Sequence, residues 1–216
     1  MEHHQNSKPS FLARLMLLFI PSALAVFFSI SLLAYADKPI QKQVNTATTP
    51  SAVISGTFSL TNHRGINVTE TSYDGLYKLV FFGFTQCPDI CPTTLAKIAK
   101  VMNRFGEEAH NIKPLFISVD TENDSIEKLS SYVAYFHPSI DGLTGTPSQL
   151  KEASASFKAN YGKIDSELVE ANNGYFHSSY IYVMGPGNEL LDVLSYADPT
   201  TQIYQRLSTL TNPLAD

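Results

Sequence analysis

The chain has 216 residues, 44% hydrophobic and 11% aromatic, enough for one globular domain with its own core and some further material. Its formal charge of −5 is mild and its basic residues are scattered, which leaves nucleic-acid binding without support. Only two cysteines are present, which excludes a disulfide framework and leaves one bridge, a redox couple or a metal site.

Residues 1–14 are polar and read as a cytoplasmic tail. Residues 15–36 carry no charge, long enough for an apolar helix to cross a bilayer core of about 30 Å. Ala34-Tyr35-Ala36 has the form of a signal cleavage site, but the apolar run exceeds the roughly 7–15 residues of a signal core, so an uncleaved anchor is expected. The short tail places the bulk of the chain outside the cytoplasm, on the periplasmic side of an inner membrane. Residues 37–55 read as a polar tether, and 56–216 as the domain.

Within the domain, 57–61 and 66–69 form a hairpin about Asn62-His63-Arg64-Gly65. Residues 77–84 are almost continuously apolar, as in a strand buried on both faces. A helix follows over 92–105, with Leu95, Ile98, Ala99, Met102 and Phe105 at helical spacing. A second buried strand is expected over 114–120, and helices over 125–136 and 146–161. Strands over 175–184 and 189–194 flank a turn, and a last helix spans 199–210. This order predicts an α/β fold: a mixed sheet with helices on both faces, an N-terminal β-hairpin and one preceding transmembrane helix. The thioredoxin fold fits it best.

Both cysteines lie in Phe84-Thr85-Gln86-Cys87-Pro88-Asp89-Ile90-Cys91-Pro92, between the first buried strand and its helix. Cys91 falls at the helix N-terminus, where unpaired amides and the helix dipole favour a thiolate. Three intervening residues let both sulfurs converge, and paired thiolates select soft metals. Zinc and iron–sulfur clusters usually take four strong ligands, so two cysteines suit Cu(I) better. Dedicated disulfide exchange usually runs on Cys-x-x-Cys, a spacing absent here, yet three intervening residues do not forbid a bridge. A metal site and redox work both stay open at this point.

His177 is the candidate third ligand. In thioredoxin-like folds the loop before its strand faces the cysteines, and thioredoxins carry a proline there; here Ser178-Ser179 follows the histidine. His3 and His4 precede the apolar span, and His63, His110 and His137 read as solvated surface histidines. Asp89 could cap the helix or sit in solvent. Met102 and Met184 read as core residues.

From Ile54 to Leu210 the chain resembles the Sco/SenC family of copper-binding thioredoxin-fold proteins. The resemblance is carried by Cys87-Pro88-Asp89-Ile90-Cys91-Pro92, by Phe116-Ile117-Ser118-Val119-Asp120, by Gly142-Leu143-Thr144-Gly145 and by His177-Ser178-Ser179. It implies one copper, Cu(I) or Cu(II), on Cys87, Cys91 and His177, delivered to the binuclear copper site of cytochrome c oxidase. Implied partners are the oxidase subunit bearing that site and a thiol reductase that keeps the cysteines reduced. The alternative is a thiol–disulfide oxidoreductase cycling Cys87–Cys91. Two positions depart from the family pattern. Phe176 stands where an aspartate often precedes the histidine, and Thr121-Glu122-Asn123-Asp124 where Pro and Arg tend to follow the Val-Asp pair. Losing the carboxylate removes a group that could orient His177.

Overall fold

Strand β3, Tyr77–Gly83, lies at the heart of a seven-stranded sheet and leads directly to the cysteines. In a computed structural model, which describes residues 53–163 and 175–211, it pairs with a strand on each side. Its alternation explains the unbroken apolar run. Leu79 and Phe81 face one core cluster, Val80 and Phe82 the other, and all four are fully buried. Each such side chain contributes on the order of 1.5–3 kcal/mol by leaving water.

The chain enters through the hairpin β1 (Ser59–Asn62) and β2 (Asn67–Thr69) and a 3₁₀ turn at Glu70–Tyr73. After β3 come α1 (Ile90–Phe105), β4 (Ile112–Ser118), α2 (Ile126–Phe136), β5 (Asp141–Thr144) and α3 (Pro147–Phe157). The rest comprises β6 (Tyr161–Lys163), β7 (Tyr175–His177), β8 (Tyr180–Met184), β9 (Leu190–Ser195) and α4 (Thr200–Thr211). The main sheet runs β2-β1-β5-β4-β3-β8-β9, with β6 and β7 forming a separate ribbon. Strands β3, β4 and β5 are parallel, and β1, β2, β8 and β9 join antiparallel. Helices α1, α2 and α4 supply the first core cluster, while α3 and the hairpin close the second. This is the mixed sheet with helices on both faces that the sequence predicts.

Several elements differ from the expected ones. Helix α1 begins at Ile90 rather than Pro92, so Pro92 occupies its first turn, where a missing N–H costs nothing. Helix α3 stops at Phe157 instead of reaching 161, because Lys158 takes a left-handed conformation (φ 52°) whose amide closes the last turn. The strand expected over 175–184 is two strands, β7 and β8, parted at Ser178-Ser179. Strand β5 was not anticipated as an element. The apolar span at 15–36 and the tether as far as Ala52 lie outside the described residues. No helix among the described residues is long and apolar enough to cross a membrane.

Candidate metal centre

The site is built where β3 ends. Cys91 lies in the first turn of α1 and is fully buried, whereas Cys87 is half-exposed on the incoming loop. No disulfide joins the two. The Cys91 amide donates to Cys87 Sγ at 3.5 Å, so that sulfur does the work of a capping side chain. Asp89 holds the N-cap position, but its carboxylate accepts from the Thr93 hydroxyl (3.4 Å) and makes no cap bond to the helix amides. With Pro92 lacking an N–H, the dipole of this first turn is presented to the cysteines.

A hydrogen bond to Cys87, reinforced by burial and by the charge of Cys87, pushes the Cys91 thiol above its ordinary range. The Phe84 backbone N–H, directed at Cys91, works the other way. The reduced pair therefore has a sense: Cys91 is the proton-bearing, donating partner and Cys87 the accepting, accessible one. Cys87 packs against both core clusters, so it sits across the end of the sheet.

Two further devices hold this loop. At Gly83 an added Cβ would fall 2.7 Å from Cys91 Sγ and 2.7 Å from Phe116 Cε2, so the absent side chain makes room for the sulfur. Asp124 is buried and accepts from Thr85 N (2.9 Å), Thr85 Oγ1 (2.6 Å) and Ser118 Oγ (2.6 Å), with Lys128 Nζ at 3.4 Å. One carboxylate thus ties the cysteine loop to the ends of β4 and α2. Asp124 lies in the segment that departs from the family pattern, and the neighbouring Asn123 amide donates to both carboxylate oxygens of the buried Asp120. No sequence signal marked Asp124 as an anchor, although Asp at the residue before a helix cap is a familiar polar punctuation.

His177 ends β7, its backbone paired with Tyr161. Three residues on, β8 begins at Tyr180 and runs antiparallel to β3, Ile181 opposite Phe81. The β7–β8 connection therefore emerges at the same end of the sheet as the cysteine loop. It is fixed by Ser178, whose amide donates to Asn160 O (2.7 Å) and whose Oγ accepts from Asn160 N (2.8 Å). The His177 side chain lies outside the described residues. Among the described residues no group of three His, Cys, Asp or Glu side chains converges as a metal cluster.

Two other histidines are not the solvated residues expected. His63 Nδ1 accepts from Gly142 N (3.1 Å), and His137 Nδ1 meets Ser139 Oγ (2.7 Å). Burial lowers the pKa of both. His110 is exposed, as expected. His3 and His4 lie outside the described residues.

Parallel β3-β4-β5, the antiparallel β8-β9 pair and a cysteine-bearing loop at a helix N-terminus define a thioredoxin-fold protein with a dithiol site. Residues 46–212 match the family model SCO1/SenC, so the chain belongs to the SCO1/SenC family. It is 39% identical over 136 residues to protein SCO1 homolog 1, mitochondrial, of Arabidopsis thaliana, covering 62% of this chain and 40% of that protein. The chain thus spans less than half the length of that relative. Among solved structures it is similar to Arabidopsis thaliana ScoI with copper bound (TM-score 0.66, 34% identity, 71% of this chain and 95% of that one). It is also similar to BsSco, described as having a disulfide switch and as a member of the Sco family of cytochrome c oxidase assembly proteins. That likeness has a TM-score of 0.59 at 26% identity, over 73% of this chain and 92% of that one.

Proposed function

We propose that the protein is a copper metallochaperone that binds one copper through Cys87, Cys91 and His177 and passes it to the binuclear copper site of cytochrome c oxidase. The single observation that carries this reading is the convergent reduced dithiol, one sulfur buried and one accessible, on the fold of relatives that hold copper. Two soft thiolates and an imidazole satisfy Cu(I) while leaving room for a recipient's ligand, and the exposed Cys87 is the sulfur a recipient can reach. Residues 15–36 would anchor the chain in the inner membrane, with 1–14 in the cytoplasm, 37–55 as tether and 56–216 in the periplasm. In that oxidising compartment a thiol reductase would be needed to keep the pair ready for copper.

The second reading is a thiol–disulfide oxidoreductase. One observation favours it: Cys91 is hydrogen-bonded to Cys87, so the sulfurs are close enough to act on one another. In it the accessible Cys87 attacks the partner's disulfide and Cys91 resolves the mixed disulfide. Titrating the reduced full-length chain with Cu(I) separates the two. The chaperone reading expects one copper per chain, lost in Cys87→Ser and Cys91→Ser alike. Disulfide turnover without copper binding would establish the oxidoreductase instead.

A further inference from the structure

Tyr132 projects from α2 into the cluster that also buries Cys91. Its ring rests on Phe116 (centroids 5.6 Å) and against Phe136 (5.2 Å). Phe116 is the ring that meets Gly83 at the same point as Cys91 Sγ, so Tyr132, Phe116 and the buried sulfur are consecutive in packing. The Tyr132 hydroxyl is shut away from solvent and has no hydrogen-bond partner among the described residues. A buried polar atom left in this way is costly, and such atoms are rare unless a functional state supplies the partner.

The candidate partners are few. Burial, then the negative charges of Cys91, Cys87 and Asp124 in that order, push the Tyr132 phenol up, so it stays a protonated donor. Asp124 already accepts from Thr85 and Ser118 and pairs with Lys128. Cys91 is different. As a thiol it keeps its proton and donates a hydrogen bond to Cys87. As a metal-bound thiolate it has no proton to give and becomes a fully buried anionic sulfur, toward which the Phe84 N–H is directed. Anionic sulfur in such a place needs further donors.

We propose that the Tyr132 hydroxyl is the donor that satisfies the Cys91 sulfur when it is a thiolate, making Tyr132 a positioning residue for the dithiol site. This rests on the reading of Cys87 and Cys91 as a working thiolate pair. In the metal-free thiol the hydroxyl waits unpaired. On copper binding it turns onto the sulfur, draws charge from it and fixes its direction. In metal-free thiol–disulfide exchange two glutathione thiols give two electrons and two protons to the Cys87–Cys91 disulfide, yielding two protein thiols and one glutathione disulfide. Cys91 is then a protonated thiol, so the hydroxyl has no anion to satisfy and leaves that equilibrium unmoved.

The test compares the full-length chain with Tyr132→Phe and with the control Tyr135→Phe, which alters an 85% exposed ring on the same helix. Two quantities are measured: Cu(I) affinity by competition with a chelator, and the glutathione redox equilibrium at pH 8. A hydrogen bond to a charged group predicts roughly tenfold weaker Cu(I) binding for Tyr132→Phe at an unchanged glutathione equilibrium, with Tyr135→Phe unchanged in both. The melting temperature of the reduced, metal-free Tyr132→Phe chain should not fall, since only an unpaired hydroxyl is removed. Unmoved Cu(I) affinity would overturn the proposal, as would a change confined to the melting temperature. If the wild-type chain bound no copper, the chaperone reading would fail and the role of Tyr132 with it, whereas copper held equally by wild type and Tyr132→Phe would overturn the role of Tyr132 alone.

Discussion

Cys91 Sγ occupies the space that a side chain at Gly83 would fill: a Cβ there would stand 2.7 Å from the sulfur. Neither neighbour can give way easily, since the sulfur is fully buried and the Phe116 ring is locked in the core. Gly83→Ala should therefore displace Cys91 and cost about 1–3 kcal/mol by overpacking. Thermal unfolding measures the cost. A parallel loss of copper binding, larger than in an equally destabilised core variant elsewhere, identifies the displacement as local to the site.

Asp124 is the second support. Removing its carboxylate strands the Thr85 amide and hydroxyl and the Ser118 hydroxyl inside the protein. Asp124→Ala should cost roughly 3–5 kcal/mol, as when one member of a buried charged network is deleted. Denaturant unfolding gives the value. Loosening of the loop should also raise the rate at which Cys91 is alkylated in the native state.

The two cysteines should differ in the wild-type protein as well. Cys87 is accessible and accepts hydrogen bonds, while Cys91 is buried with its thiol held protonated. Under limiting iodoacetamide at neutral pH, Cys87 should be modified at least about ten times faster than Cys91. Peptide mass spectrometry after a short pulse reads the ratio directly; equal rates would contradict the assigned sense of the pair.

Lys78 lies inside β3, fully buried, its Nζ without an acceptor among the described residues. Burial lowers its pKa below the usual 10.5, against the weaker opposing pull of Asp74, Glu189 and Glu70. The folded chain thus loses this proton at lower pH than the unfolded chain. Between the lowered value and 10.5 the unfolded state binds more protons, so this residue's contribution to stability rises with pH across that window. Lys78→Met should remove that slope and stabilise the protein at pH 7 by about 1–4 kcal/mol. Chemical denaturation at several pH values tests both parts.

Much of this architecture was legible because hydrophobic period and local chemistry agree. β3 announces itself by its unbroken apolar run, and α1 by Leu95, Ile98, Met102 and Phe105 on one face. Strand β5 escaped notice because Asp141-Gly142-Leu143-Thr144 is four residues with a glycine and no alternation; its pairing with β4 and β1 makes it a strand. The end of α3 was misplaced because Lys158 is an ordinary helix former that here adopts a left-handed turn. Within the site, the cysteine spacing was readable. Asp124 and Tyr132 were not, because their importance comes from what β4 and α2 bring beside the loop, and no local pattern encodes that.

The central claim is that copper is held by Cys87, Cys91 and His177 together. Titration of the reduced full-length chain with Cu(I), before and after His177→Ala, tests it most directly. One copper per chain in the wild type, bound more than about tenfold less tightly in the variant, is the predicted result. Unchanged affinity in His177→Ala would remove the histidine from the site and contradict the account.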